Sequence, residues 1–88
     1  MNKNRRKELM EWVRKATDWV AQGEDLKSEL ENICSDEQDS FDNMPENLQG
    51  SMRGMDSENA IDAMNEAIES MDNAIEAAEE ATSCIEDI

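Results

Sequence analysis

The chain has 88 residues, of which 35% are charged, and its formal net charge is −15 at pH 7. A chain of this length can bury only one thin hydrophobic core, and one Phe, two Trp and no Tyr leave few large side chains to fill it. The lack of His and the presence of only two Cys exclude imidazole-based catalysis and a His- or Cys-rich zinc site. We therefore expect a non-enzymatic protein without a metal or a cofactor.

The charge is divided unevenly along the chain. Residues 1–15 carry six basic and two acidic side chains, a net charge of +4, whereas the other 73 residues carry two basic and 21 acidic ones, a net charge of −19. Because so acidic a body repels nucleic acid and anionic lipid, we expect no direct DNA binding and no membrane binding. It favours a basic partner, such as the nucleic-acid channel of another protein, although an acidic surface can also serve simply for solubility.

A seven-residue repeat of apolar and small residues predicts a first helix from about Asn4 to about Asp42. The repeat keeps its phase through Gly23, so we expect no break there, although Gly costs about 1 kcal/mol relative to Ala inside a helix. One predicted seam column consists of Leu9, Ala16, Gly23 and Leu30, and the other of Trp12, Trp19, Leu26 and Ile33. Lys27 interrupts the stripe, which four further residues widen: Val13, Val20, Cys34 and Phe41.

The two tryptophans, Trp12 and Trp19, lie one heptad apart and admit two interpretations. As exposed rings they could form a platform on which bases stack. Their place in a predicted seam column favours burial instead, with the bulky rings beside the small side chains of Ala16 and Gly23.

The segment 43–55 contains the only Pro and two of the three Gly, which predicts a turn. Met44 precedes Pro45 and is therefore disfavoured in helical geometry, so the first helix should end near there. Asp56 or Ser57 is the expected N-cap of the second helix.

A second seven-residue repeat predicts a helix over about residues 56–86. Its seam columns are Ile61, Ile68, Ile75 and Thr82, and Met64, Met71, Ala78 and Ile85. A third column flanks them and consists of Ala60, Ala67, Ala74 and Ala81. Because one neighbouring helix cannot cover so wide an apolar face, this helix predicts self-association.

The two helices predict one all-α domain over 1–88, an antiparallel, coiled-coil-like two-helix hairpin. Opposed residues should have numbers that sum to roughly 98, which keeps the two cysteines, Cys34 and Cys84, apart. Two hairpins are expected to dimerise into a four-helix bundle, which would bury the apolar margins of both, and larger homo-oligomers remain possible.

The N-terminal cations are a candidate anion site. Arg5, Arg6 and Lys7 are expected to project beyond the end of the second helix, and in an antiparallel dimer they would approach Arg53 of the other chain. The alternative is that these cations form ordinary salt bridges with acidic residues of the other chain.

The turn sequence, Asn43 to Gln49 (NMPENLQ), followed by an Arg-Gly pair and Ala-Ile heptads, resembles small acidic helical proteins encoded by phages and prophages of Gram-positive bacteria. The resemblance covers the C-terminal half, residues 41–88. It implies a phage source and a helical hairpin, and it implies no particular activity.

Three functions remain open at this stage. The first is a phage protein that binds and inhibits a host factor, such as a defence nuclease, through an acidic surface that mimics nucleic acid. Its candidate interaction residues follow the outer side of the second helix: Asp62, Glu66, Glu69, Glu76 and Glu80. The second is an oligomeric sponge that sequesters a small anionic nucleotide at the basic ends. The third is a structural or assembly coiled coil. No segment is apolar enough for an anchor, so we expect a cytoplasmic protein, in the host if it is phage-encoded.

Overall fold

A computed structural model describes all residues, 1–88, as three helices and no strand. The helices are α1 (Lys3–Asp42), α2 (Glu46–Gln49) and α3 (Met52–Glu86). Helices α1 and α3 pack against each other as an antiparallel hairpin whose dimensions are 68 × 15 × 14 Å. The all-α class is therefore confirmed, and the elongated shape is that of a helical hairpin.

Helix α1 runs without interruption through Gly23. Its N-cap is Asn2, whose side-chain oxygen accepts a hydrogen bond from the Arg5 backbone N–H at 2.8 Å. Gly23 is buried, and the space beside it is taken by Ile75, whose Cγ1 atom would lie 3.4 Å from an added Cβ. Ile75 thus packs directly against this position at the middle of the hairpin.

The seam of α1 differs from the predicted one in its second column. The column Leu9, Ala16, Gly23 and Leu30 is at least partly buried, as predicted. The other seam column is made by the residues that were expected only to widen the stripe, together with Lys27: Val13, Val20, Lys27, Cys34 and Phe41. The predicted column of Trp12, Trp19, Leu26 and Ile33 is exposed.

The second seam column of α1 differs from the predicted one for a geometric reason. From Leu9, a step of three residues leads to Trp12 and a step of four leads to Val13, and both steps continue as unbroken heptads. The periodicity of α1 alone therefore fits two neighbouring seams. The pairing with α3 selects between them, because Lys27 lies in the seam and meets Asp72 of α3 at 2.6 Å.

Both seam columns of α3 are at least partly buried, as predicted, with Ile61 and Ile75 the most buried. The predicted register also agrees with the contacts across the hairpin. Gly23 faces Ile75, Lys27 meets Asp72, and the Cys34 Sγ lies 3.6 Å from the Asn65 Oδ1. The paired numbers sum to 98 or 99. Both cysteines are free, with Cys34 buried and Cys84 exposed.

The connection between the long helices is more ordered than a plain turn. Helix α3 begins at Met52 instead of near residue 56, and its N-cap is Ser51, so the prediction of Asp56 or Ser57 as the cap is wrong. Ser57 is buried inside the helix and donates a hydrogen bond to the Glu37 Oε1 at 2.6 Å. The physical reason is Gly54, which lets the first turn of α3 pack directly against the Gln49 backbone.

The core is thin along the whole hairpin. Only seven of the 88 residues are buried, and no side chain is completely enclosed. None of the helices is long and apolar enough to cross a lipid bilayer.

Candidate interaction surfaces

One edge of the hairpin seam is apolar. The opposite edge is polar, because the contacts of Lys27 with Asp72 and of Cys34 with Asn65 place the column of Asn65, Asp72 and Glu79 there. Because an antiparallel pair brings equivalent flanking columns together, the Trp column of α1 and the Ala column of α3 share the other edge. We call these eight residues the apolar strip: Trp12, Trp19, Leu26 and Ile33 of α1, and Ala60, Ala67, Ala74 and Ala81 of α3.

The large side chains of the apolar strip are open to solvent. Trp12 and Trp19 are 44% and 51% exposed, and Leu26 and Ile33 are 58% and 57% exposed. Single exposed apolar residues are ordinary on a protein surface, but these four recur about every 10 Å along one face of α1 beside the Ala column, and a clustered apolar surface is a mark of an interaction site. The predicted burial of the tryptophans does not occur within the single chain.

The predicted acidic residues all lie on the solvent side of α3. Asp62, Glu66, Glu69, Glu76 and Glu80 are exposed, and none of them forms an ion pair or a side-chain hydrogen bond within the chain. They follow one another at steps of three, four or seven residues, which places neighbouring carboxylates about 5–10 Å apart along the axis. The helix therefore presents an uncompensated row of negative charge.

Only three of the 23 acidic residues have a basic partner in the chain. Arg14 bonds to Glu11 at 2.5 Å and approaches Asp18 at 3.5 Å, and Lys27 bonds to Asp72. The hydrogen bond from Arg14 lowers the pKa of Glu11, and the same bond raises the pKa of Arg14. The hydrogen bond to Asp72 raises the pKa of Lys27. These pairs leave most of the carboxylates without a cation.

The linear charge density of the single chain is somewhat below that of one nucleic-acid strand. A net charge of −15 over 68 Å is one charge per about 4.5 Å, compared with about 3.4 Å for one strand of B-DNA and about 1.7 Å for the duplex. Two chains side by side would carry one charge per about 2.3 Å, which lies between those two values.

The basic residues of the candidate anion site are not brought together within one chain. Arg5, Arg6 and Lys7 lie in the first turns of α1, beyond the end of α3, whereas Arg53 lies in the first turn of α3 at the opposite end of the hairpin. All four side chains are exposed and none has an ion-pair partner. An anion site that uses all four therefore requires a second chain.

The remaining surface offers only open grooves. The largest lies along one face of α1 next to Trp12, between Lys7, Glu11 and Lys15, and it has no wall from α3. No group of three or more Cys, Asp or Glu is arranged to hold a metal ion.

The most specific stretch of the sequence has a structural role. The Gln49 Nε2 donates hydrogen bonds to the backbone oxygens of Phe41 and Met44, both at 3.2 Å, and so satisfies carbonyl groups at the end of α1. Pro45 precedes α2 as its N-cap. The segment 43–49 is thus the part of the chain that closes the hairpin.

Sequence reasoning missed the apolar strip as a surface, although it found every residue in it. The available signal was Lys27, which sits at heptad spacing with Val13, Val20 and Cys34. A lysine in that column needs an acid opposite, and Asp72 lies at the matching level of α3 in the predicted register.

Comparison with protein-family models, with curated proteins and with solved structures finds no match for this chain. The proposals below therefore rest on the surfaces of the chain itself.

Proposed function

We propose that the chain is a non-enzymatic, phage-type binding protein that inhibits a basic host factor, such as a defence nuclease, by occupying its nucleic-acid channel. The single observation that carries this proposal is the row of unpaired carboxylates along the outer side of α3. Because a rigid helix already holds them in a row, a basic channel can neutralise many of them at once without a loss of backbone conformational entropy in this protein.

The linear charge density supports the same proposal. Nucleic-acid channels are lined by Lys and Arg that attract phosphates, and they would also attract an acidic hairpin, most strongly if two chains lie side by side at a charge density between those of one strand and the duplex. Under this proposal the protein acts in the cytoplasm of the host.

The proposal is tested with a basic protein captured from host lysate by the immobilised chain. Duplex DNA should displace the captured protein, and the affinity should fall at least about tenfold between 50 and 200 mM salt because several charge pairs are screened together. Binding that is insensitive to salt and to DNA would contradict the electrostatic proposal.

A matched pair of variants locates the surface. One variant replaces the five candidate acids of α3 with their amides: Asp62, Glu66, Glu69, Glu76 and Glu80. The control removes the same five charges from α1: Glu24, Asp25, Glu29, Glu31 and Asp36. We expect the α3 variant to lose most of the binding and the α1 variant to retain most of it. Equal losses would mean that total charge, and not this row, determines binding.

A nucleotide sponge is the second candidate function, and the four unpaired cations favour it. Replacing Arg5, Arg6 and Arg53 by Ala should abolish the binding of an anionic nucleotide while leaving helicity unchanged. Titration calorimetry with mono-, di- and cyclic nucleotides measures this directly. The absence of heat and of thermal stabilisation across that panel would reject the sponge.

A structural role is the third candidate, and the uncovered apolar strip supports it together with the proposed dimerisation into a four-helix bundle. A coiled coil with a purely structural role requires its oligomer for function and does not require its surface charges. Loss of function in the α3 charge variant with its oligomer intact would exclude that role.

A further inference from the structure

The α1 side of the apolar strip is centred on that helix. Its first large residue, Trp12, lies nine residues after Lys3, the first residue of α1, and its last, Ile33, lies nine residues before Asp42, the last residue. The midpoint of the strip is therefore the midpoint of the helix, between Gln22 and Gly23. A two-fold axis through that point exchanges the levels of the four α1 residues of the strip and the two ends of α1.

We propose that a second copy of the chain covers the apolar strip, with the two hairpins antiparallel and related by this two-fold axis. The axis brings Trp12 to the level of Ile33 of the second copy and Trp19 to the level of Leu26 of the second copy. The two α1 helices then pack through large side chains. In the register of the hairpin the two α3 helices overlap along their C-terminal two thirds, where Ala67, Ala74 and Ala81 permit close approach.

Charge at the ends of α1 selects the antiparallel arrangement. Residues 3–9 carry four basic and one acidic side chain, a net charge of +3, whereas residues 36–42 carry four acidic side chains and no basic one. The two-fold axis places each basic segment at the level of the acidic segment of the other copy. A parallel dimer would instead place two basic segments together at one end and two acidic ones at the other, which is unfavourable at both ends.

The area of the strip is sufficient for a specific contact. Given their exposed fractions, the four large side chains present about 450 Å² per chain, so two facing copies would remove up to about 900 Å² from water. Specific interfaces begin near that size, and the Ala columns add to it. The acidic rows of α3 face away from this surface and stay accessible in the dimer.

The first test separates this surface from the rest of the chain. Leu26→Glu places a carboxylate in the strip, and Met10→Glu places one at the other edge of the seam, and both native side chains are 58% exposed. Sedimentation equilibrium should show a dimer for the wild type and for Met10→Glu, and a monomer for Leu26→Glu, with all three equally helical at low temperature. A dimer that survives Leu26→Glu would overturn the proposal. So would a wild type that remains monomeric at every concentration.

The second test measures the orientation. Asn59 is exposed on the outer side of α3, near the turn and away from the apolar strip, so a spin label on Asn59→Cys, with Cys34→Ala and Cys84→Ala, does not enter the proposed dimer contact. In the antiparallel dimer the two labels lie about 50 Å apart, because some 35 residues of helix rise separate their levels. A parallel dimer would place them within about 30 Å, roughly the width of a four-helix bundle, and would contradict the two-fold axis proposed here.

This inference rests on the proposed self-association and not on the identity of the partner. Salt-dependent capture of the basic host protein by monomeric Leu26→Glu would show that the acidic surface acts without the dimer. Loss of capture by the α3 charge variant in an intact dimer would show that the dimer forms without the acidic surface and does not bind the host protein by itself. The two proposals therefore fail through different measurements.

Discussion

Gly23 and Gly54 are both buried, but they have different roles in the hairpin. An added Cβ at Gly23 would lie 3.4 Å from the Ile75 Cγ1 and 3.7 Å from its Cδ1, which is ordinary contact with a flexible side chain. An added Cβ at Gly54 would overlap the backbone carbonyl oxygen of Gln49, which cannot move without opening the turn. The first glycine is tolerated by the fold, and the second is required by it.

Alanine at the two positions should therefore change stability in opposite directions. Gly23→Ala gains helix propensity and should stabilise the hairpin by about 0.5–1 kcal/mol. Gly54→Ala should destabilise it by about 1–3 kcal/mol through the steric overlap. Urea unfolding monitored by circular dichroism measures both. A destabilised Gly23→Ala would mean that Ile75 has no room to adjust.

Lys27 makes a second prediction at the scale of the residue. The hydrogen bond with Asp72 raises the pKa of Lys27 in the folded chain, so the charged form is favoured by folding. This stabilisation is fully present below the ordinary pKa of lysine, about 10.4, and is lost as pH rises through the higher folded value.

Lys27→Met should remove that dependence. Between pH 9 and pH 12 the free energy of unfolding should fall less steeply in the variant than in the wild type. Lys3→Met, on the overhanging end of α1 and without an ion-pair partner, is the control and should keep the wild-type slope. Identical slopes in all three proteins would mean that the Lys27–Asp72 pair does not persist in solution.

At the scale of the element, the sequence allowed most of the hairpin to be predicted, and the exceptions have local causes. The columns of α3 were unambiguous because its Ile and Met residues admit one seam. The columns of α1 were ambiguous because Trp12 and Val13 begin equally regular repeats. The predicted start of α3 was also too late, because the helix start depends on the packing of Gly54 against the Gln49 backbone within the turn, which residue propensities do not indicate.

The turn between the helices depends on one side chain. Because Gln49 bonds to the carbonyl groups of Phe41 and Met44, Gln49→Ala should destabilise the hairpin by about 1–2 kcal/mol. Gln22→Ala, at an exposed position without a side-chain bond, should change stability by less than about 0.5 kcal/mol. Chemical unfolding at fixed protein concentration compares them. Equal effects would show that helix propensity and not the cap is responsible.

At the scale of the whole molecule, the net charge opposes the fold. With 23 acidic residues and only three in ion pairs, repulsion between carboxylates outweighs attraction within the chain. The candidate functional residues were predictable from sequence as exposed acids and bases. The sequence also predicted that the N-terminal arginines and Arg53 can meet only through a second chain, and that meeting stays a prediction.

Salt should therefore stabilise the protein. Raising NaCl from 0.01 to 0.5 M shortens the Debye length from about 30 Å to less than 10 Å and should raise stability by about 1 kcal/mol, or roughly 4–8 °C in the unfolding midpoint. Thermal melts at constant protein concentration measure the change. A midpoint that falls with salt would indicate that ion pairs, within or between chains, dominate instead.

The dimensions of 68 × 15 × 14 Å also determine how the molecule moves through solvent. Friction on a rod depends mainly on its length, so a single chain should elute from a gel-filtration column ahead of a globular protein of its 10.0 kDa mass. An antiparallel pair would be thicker but hardly longer. Its friction would rise little while its mass doubled, so pairing should alter the elution volume only slightly. The same pairing should increase the sedimentation coefficient by more than the merging of two spheres would.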